Sequence, residues 1–271
     1  MLTLTFIFIF LLGTIIGSFL NVVIYRFGTG KSIAKGRSIC MTCNKTLSWY
    51  ELIPIFSFLI QSGRCRSCAG SISHQYPIVE FITGVIFASI AYHFLPLLYI
   101  SQISYVLLVI LFSFLFSILI VISVYDFRHK IIPDRLVYIF SLVSLMSVFI
   151  NQNIIGGLFI KPTLNDISIG PLLALPFVLI WLLSKGKWMG LGDAKLILGL
   201  GWMLGFDKGI AAIILAFWIG SIVSLFVMFL SKKKVGLKTE IPFAPFLILS
   251  SLIVFLFNIN FFKLAKIFTF N

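Results

Sequence analysis

The chain has 271 residues, of which 60% are hydrophobic, 16% aromatic and only 11% charged. Soluble domains average roughly 45–50% apolar and about 25% charged residues, so the composition excludes an ordinary soluble protein. It also excludes intrinsic disorder, which requires low hydrophobicity. A net charge of +13 can indicate a nucleic-acid partner. Here Lys and Arg lie between apolar segments, as in cytoplasmic loops of membrane proteins, so we expect no nucleic-acid partner.

The first predicted helix covers residues 1–25, an apolar run with no charge before Arg26. A cleavable signal peptide carries its basic residues ahead of the apolar stretch, so we expect this segment to stay in the lipid bilayer. Further apolar segments lie at about 77–99, 101–125, 135–151, 168–184, 209–230 and 241–262, with a shorter one at about 190–206. The sequence therefore predicts an all-α polytopic membrane protein with about eight transmembrane helices.

The distribution of Lys and Arg predicts the orientation. Seventeen of these 21 residues fall on one face, in the loops 26–75, 126–135, 185–195 and 231–240. Because basic loops stay in the cytoplasm, we predict a multi-pass protein of the cell membrane with both termini outside. The predicted parts are a first transmembrane helix (1–25), a cytoplasmic loop domain (26–76), a seven-helix membrane domain (77–262) and a tail (263–271).

All four cysteines lie in the long loop, as Cys40-x-x-Cys43 and Cys65-x-x-Cys68. This spacing is typical of zinc ribbons, and two disulfides are the alternative. The cytoplasm is reducing, and a loop of about 50 residues cannot build a core alone. We therefore predict a structural zinc ion on the four thiolates, for which iron is the less suited metal. Four sulfur ligands leave zinc no open position for catalysis.

Two aspartates stand out because a carboxylate near a membrane span is costly unless it is paired, solvated or used. Asp126 ends the third predicted span, and Asp193 follows Gly190-Leu191-Gly192 at the start of the short one. An aspartic protease needs two such carboxylates, one to activate water and one to hydrogen-bond the scissile carbonyl. The structural alternative for Asp193 is a carboxylate that complements a helix dipole.

The other polar residues near the spans have simpler interpretations. Asp134 follows Pro133 and is predicted to be the first residue of a helix. Glu80 is either a buried polar anchor or part of a second site. Asp207 and Lys208 are expected to form a solvated pair, and His129 is expected to be a cation at the membrane interface.

The motifs occur together in one family, and the chain resembles the type IV prepilin peptidases, also called leader peptidase/N-methyltransferases. The resemblance covers about positions 13–250. It is carried by Gly17-Ser18-Phe19-Leu20-Asn21-Val22-Val23-Ile24-Tyr25-Arg26, both cysteine pairs, Leu52-Ile53-Pro54, Gly63-Arg64, Tyr76-Pro77-Ile78-Val79-Glu80, Asp126 with Ile132-Pro133-Asp134, Gly190-Leu191-Gly192-Asp193-Ala194-Lys195 and Ile241-Pro242-Phe243-Ala244-Pro245-Phe246. Phe27 and Met41 stand where the family often has proline.

The resemblance implies that Asp126 and Asp193 are the catalytic pair of a GxGD-type aspartic protease in the bacterial cytoplasmic membrane. It implies prepilin or pseudopilin substrates, cut after a leader-terminal glycine on the cytoplasmic side. The family commonly methylates the new N-terminus with S-adenosylmethionine as cofactor. By the resemblance, Gly63, Arg64 and Glu80 are candidates for that methyl-transfer site.

Other functions stay open. A proton-coupled transporter with a zinc-binding loop would also carry paired intramembrane carboxylates, although no inverted repeat is apparent. A membrane scaffold would use the carboxylates structurally, which the glycines beside Asp193 argue against. A presenilin-like protease would act on other membrane proteins, and the four-cysteine loop argues against it.

Overall fold

The computed structural model describes residues 2–150, 159–230 and 242–268. In these ranges the regular structure is helical, apart from three isolated antiparallel bridges. The helices are α1 (Leu2–Arg26), α2 (Phe56–Ile60), α3 (Gln75–His93), α4 (Leu95–Leu98), α5 (Gln102–His129), α6 (Asp134–Ser147), α7 (Leu164–Ser184), α8 (Leu191–Leu204), α9 (Phe206–Leu230), α10 (Ala244–Phe257) and α11 (Phe261–Phe268), with a short 3-10 helix at Trp49–Leu52. The chain divides into two compact units, Met1–Val121 and Ile122–Asn271.

The predicted all-α membrane fold is confirmed, and each of the eight predicted apolar segments contains a helix. Within the described ranges, five helices are long and apolar enough to cross a membrane: α1, α3, α5, α7 and α9. Helices α6, α8 and α10 have 14 residues each. A straight crossing needs about 20 residues, so the count of eight spans stays a prediction.

The helix ends differ from the predicted ones where local residues break the helix. The segment predicted at 77–99 ends as a helix at His93, and α4, with Pro96 in its first turn, follows separately. The segment predicted at 241–262 stops at Phe257 because Asn258 adopts a left-handed conformation, with φ 50°. The basic loop 231–240 lies outside the described residues.

In the first unit, α1 and α3 pack closely through small residues. A Cβ on Gly13 would lie 2.8 Å from the Cα of Gly84, and one on Gly17 would lie 2.7 Å from the Cα of Glu80. Small residues one turn apart allow helix backbones to approach in this way in membranes. The buried Asn21 amide donates to the carbonyl oxygen of Tyr76 at 3.2 Å. The contacts bring together the two helices that flank the cysteine loop.

In the second unit, α8 packs against both α6 and α7. A Cβ on Gly199 would lie 2.6 Å from the Phe140 ring of α6, and one on Gly201 would lie 2.9 Å from the Cα of Gly170 in α7. At the start of the two helices, the Lys195 ammonium of α8 lies 2.7 Å from the Asp134 carboxylate of α6. The glycines thus let α8, which carries Asp193, enter between its neighbours.

Candidate active site and zinc-binding cluster

Asp126 lies in the last turn of α5 and is 4% exposed. The helix extends to His129, so Asp126 is a helical residue with a defined side-chain direction. Its carboxylate accepts a hydrogen bond from the backbone N–H of Ala244. Ala244 is the buried first residue of α10. The first N–H groups of a helix have no intrahelical acceptor, so this one is free to hold the carboxylate.

Asp193 lies in the first turn of α8, which begins after the extended residue Gly190, with φ −75° and ψ 147°. Its Oδ1 atom is buried and has no hydrogen-bond partner among the described residues. Buried polar atoms are almost always satisfied, so an unpartnered oxygen calls for an explanation, of which a catalytic role is one. The Asp193 carboxylate also interacts electrostatically with that of Asp126. Helices α5 and α8 thus bring the two predicted aspartates together.

The glycine next to Asp193 is required by packing. A Cβ on Gly192 would lie 2.9 Å from the Cβ of Ile132, in the short connection between α5 and α6. At Gly190 the nearest atom, Oδ2 of Asp193, would be 3.9 Å away, which is an ordinary contact. Because Gly192 has no side chain, the α5–α6 connection can pack close to Asp126 and Asp193. Gly190, in contrast, has space for a side chain.

Four other titratable residues of this unit that the sequence analysis considered lie in other environments. Asp134 is 59% exposed and pairs with Lys195. His129 is exposed and stacks on Tyr125, with ring centroids 4.3 Å apart. The predicted pairing of Asp207 with Lys208 is not what the structure has, because the Lys208 ammonium donates to Oδ1 of Asn258 at 2.7 Å.

The four cysteine sulfurs lie within 4.8 Å of one another. All four cysteines are free, and Sγ of Cys40 is 3.8 Å from Sγ of Cys68. Zn–S bonds of about 2.3 Å in a tetrahedron separate the sulfurs by roughly 3.8 Å. The donor set and its spacing fit zinc, and the structure does not have the two alternative disulfides.

Two turns of the same geometry supply the sulfurs. In each turn the first cysteine donates its N–H to the carbonyl oxygen five residues later, at 2.9 Å, and the residue four positions on has a left-handed conformation. An antiparallel bridge closes each turn. The corresponding residues are Cys40, Asn44 and Lys45 in the first turn and Cys65, Ala69 and Gly70 in the second.

Backbone N–H groups support the ionised form of Cys40. Hydrogen bonds from the N–H groups of Cys43 and Thr42 lower the pKa of the Cys40 thiol to about 6. A thiol binds a metal as the thiolate. This turn is therefore preorganised for a cation.

A cavity of about 440 Å³ lies in the first unit, beside the cysteine cluster. This volume is in the range of small-molecule sites. Its walls include Ser18, Asn21, Tyr25, Cys40, Glu51, Phe58, Tyr76 and Glu80. Glu51 and Glu80 are the two acidic residues that the sequence has in positions 1–121.

Of the three methyl-transfer candidates, only Glu80 is a wall residue of this cavity. Its Oε2 accepts the backbone N–H of Ile55 at 2.7 Å. Gly63 has φ 68°, and a Cβ there would lie 3.0 Å from the ring of Phe58, which is itself a wall residue. Arg64 is exposed.

Two family models match consecutive parts of the chain. The bacterial Peptidase A24 N-terminal domain matches residues 11–94, and the type IV leader peptidase family matches residues 113–225. Together they cover more than half of the chain. The chain belongs to the type IV leader peptidase family.

Two curated relatives match this leader peptidase over nearly the whole of both chains. Proteins named "Prepilin leader peptidase/N-methyltransferase" from Bacillus subtilis and Vibrio cholerae are each 29% identical to it, over 92% and 89% of this chain and 93% and 92% of their own. A protein of the same name from Myxococcus xanthus is 49% identical over 81 residues, which are 30% of this chain and 24% of that protein. No solved structure matches the chain.

Sequence reasoning assigned no role to Ala244. The motif Pro242-Phe243-Ala244-Pro245-Phe246 of the leader peptidase is visible in the sequence. Pro245, directly after Ala244, indicates a helix start, because proline is favoured in the first turn of a helix. The motif does not indicate which carboxylate the N–H of Ala244 would bond, because that depends on the packing of helices distant in sequence.

Proposed function

We propose that this leader peptidase cuts the leader from type IV prepilins or pseudopilins after its terminal glycine, on the cytoplasmic side of the membrane. Asp126 and Asp193 are the proposed catalytic pair. The observation that carries the proposal is the electrostatic interaction between these two carboxylates, one on α5 and one on α8. The names of the relatives that match over nearly their whole length supply the substrate class.

Cleavage by this pair needs no covalent intermediate. The ionised carboxylate takes a proton from water while the water oxygen attacks the carbonyl carbon of the glycine. The protonated carboxyl group hydrogen-bonds the carbonyl oxygen and stabilises its developing negative charge. When the C–N bond breaks, the leaving amine receives the proton that came from water. The N–H of Ala244 keeps the Asp126 carboxylate oriented throughout.

The test of this activity is a prepilin processing assay. The full chain is expressed in bacterial membranes together with a type IV prepilin, and the N-terminus of the product is determined by mass spectrometry. We expect a mature pilin that begins directly after the leader glycine. A prepilin that stays intact, while a known prepilin peptidase cuts it in the same membranes, would contradict the proposal.

We further propose that the enzyme methylates the new N-terminus with S-adenosylmethionine, and that the 440 Å³ cavity of the first unit binds this donor. The donor carries a sulfonium cation, and carboxylates and aromatic rings attract cations. Two buried carboxylates and two tyrosines stacked at 5.1 Å are among the wall residues. In a part of the chain that is otherwise basic, this combination favours a cationic ligand.

Glu80→Gln tests the methyl-donor site. We expect pilin cleavage to continue, because Asp126 and Asp193 lie in the other compact unit, and N-methylation of the product to fall at least about tenfold through the lost charge interaction. Labelled methyl incorporation and cleavage are measured on the same pilin. Glu51→Gln gives the same comparison for the second carboxylate. Unchanged methylation in both variants would exclude the cavity as the donor site.

The four-cysteine cluster is proposed to hold one zinc ion. Bound zinc cross-links the two turns and stabilises a loop that lacks a core of its own. The proposed position of this loop in the cytoplasm agrees with its excess of Lys and Arg.

A further inference from the structure

The segment 49–60, between the two cysteine pairs, has inverted polarity. Each of its exposed residues is a large hydrophobic one, whereas its charged residue, Glu51, is 8% exposed. The exposed residues are Trp49, Tyr50, Leu52, Ile53, Phe56, Leu59 and Ile60. Trp49 is 77% and Ile60 71% exposed. In water such an arrangement leaves a costly apolar surface, which indicates that another apolar phase covers it.

Hydrogen bonds to two buried carboxylates hold the backbone of this segment in the arrangement that leaves its apolar side chains exposed. Oε2 of Glu51 accepts the backbone N–H of Ser48 at 2.8 Å. Oε2 of Glu80 accepts the N–H of Ile55, whose φ of 62° is unusual for a β-branched residue. Because both carboxylates bind the backbone from the inner side, the apolar side chains are displayed outward instead of collapsing inward.

The helices that flank the loop hold this segment near a membrane surface. Helices α1 and α3 are both long and apolar enough to span a bilayer, and they pack against each other. The rings of Tyr25 and Tyr76, at the ends of these helices nearest the loop, stack at 5.1 Å. The loop of about 50 residues therefore leaves and re-enters the bilayer at neighbouring points, where lipid headgroups are its closest surroundings.

The charge of the loop matches an anionic lipid surface. Residues 26–75 contain seven Lys and Arg residues and one acidic residue. The guanidinium of Arg66 lies 5.3 Å over the ring of Tyr50. Tryptophan and tyrosine favour the membrane–water interface, and basic residues there attract anionic headgroups.

We propose that the segment 49–60 docks on the bilayer from which α1 and α3 emerge, with its exposed apolar side chains at the level of the headgroups. Docking fixes the cysteine loop and its cavity against the membrane surface. This inference does not depend on the proposed protease or methyltransferase activity.

Fluorescence quenching of Trp49 in the full chain, reconstituted in vesicles with anionic lipids, tests the proposal. The difference between the unmodified chain and Trp49→Phe isolates the signal of this tryptophan. We expect a nitroxide on a lipid near the headgroup to reduce it at least about twofold, and aqueous iodide to have little effect. The control is Ala34→Trp in the Trp49→Phe chain, at an exposed position of the same loop between basic residues. We expect iodide to quench this tryptophan strongly.

Equal iodide quenching at the two positions would overturn the proposal, because the segment would then face water. Resistance of Trp49 to both quenchers would also overturn it and would indicate protein contact. Arg66→Gln should weaken the lipid quenching in anionic vesicles at low salt and leave it unchanged in zwitterionic ones. A second measurement, which needs no tryptophan variant, is the hydrogen exchange of the α2 amides. We expect this exchange to be slower in vesicles than in detergent.

Discussion

Asp126 and Asp193 differ in what surrounds their carboxyl oxygens. The Asp126 carboxylate accepts the N–H of Ala244, whereas Oδ1 of Asp193 is buried without a partner in the part of the chain that the structure describes. The Asp193 carboxylate is also bonded by a backbone N–H, its own, so the two groups differ in the Oδ1 atom of Asp193, which has no partner there. An aspartic protease pair needs one ionised carboxyl group, which activates water, and one protonated group, which hydrogen-bonds the scissile carbonyl.

Asp126→Asn and Asp193→Asn should each abolish prepilin cleavage. An amide can neither take a proton from water nor share one, so we expect a loss of about 10²–10⁴-fold. Both variants should remain inserted and abundant, because the amide is isosteric and removes the repulsion between two like charges. The measurement is the processed fraction of a prepilin in membranes, normalised to the amount of enzyme.

The matched controls are Asp134→Asn and Asp207→Asn. Asp134 takes part in an ion pair and is 59% exposed, and such pairs contribute about 0–1 kcal/mol. Asp207 is exposed at the start of α9. Both variants should keep substantial activity. Loss of cleavage in Asp134→Asn but not in Asp126→Asn would reverse the assignment of the first aspartate.

At the scale of elements, α8 depends on glycines for its position. Gly192 faces Ile132 of the α5–α6 connection, Gly199 faces Phe140 of α6, and Gly201 faces Gly170 of α7. In each case a Cβ would lie within 3.0 Å of its neighbour. Since Asp193 is carried by the same helix, a shift of α8 changes the geometry of the dyad.

Gly192→Ala should reduce cleavage although it leaves both aspartates in place. The new methyl group would meet Ile132, and relief of such overpacking typically costs about 1–3 kcal/mol and moves the backbone. Gly190→Ala is the control, because a Cβ there has only an ordinary contact and the φ of −75° is open to alanine without strain. Cleavage rate and thermal stability are measured for both. Equal activity of the two variants would show that the contact with Ile132 does not position Asp193.

At the scale of the whole molecule, the two candidate sites lie in different compact units. The cysteine cluster and the cavity belong to Met1–Val121, and the aspartate pair belongs to Ile122–Asn271. The two family models match the chain in the same order. The effect of a substitution in one candidate site can therefore be measured separately from the effect of a substitution in the other.

Removal of zinc should loosen the first unit selectively. We expect purified protein to hold about one zinc per chain. Cys40→Ser or Cys65→Ser should lower the zinc content and speed proteolysis within residues 26–75, because the loop loses its cross-link. Met41→Ser, between two ligands, should behave like the unmodified chain. Metal analysis and limited proteolysis give the two measurements, and full zinc retention by both cysteine variants would contradict a four-cysteine site.

Much of the molecule could be predicted because the responsible interactions are local. Composition determines that the chain lies in a membrane, because a chain that is 60% hydrophobic cannot fold as an ordinary soluble protein. Each Cys-x-x-Cys pair forms its own turn from six adjacent residues, and the spacing of the two pairs, typical of zinc ribbons, predicted one cluster. The helix at 134 was indicated by Pro133. The early end of α3 and the break at Asn258 were not predicted, because the hydropathy of residues does not indicate where the backbone leaves the helical conformation.

The sequence by itself determined the class of protein, its helices, its cysteine cluster and the family motifs, all of which depend on composition or on residues close together in the chain. The tertiary structure decided which carboxylates meet, that the N–H of Ala244 holds Asp126, and that Gly192 rather than Gly190 must lack a side chain. It also decided that Glu51 lies inside and its apolar neighbours outside. The physical reason is that these contacts join residues distant in sequence, and helix packing, rather than local preference, selects them.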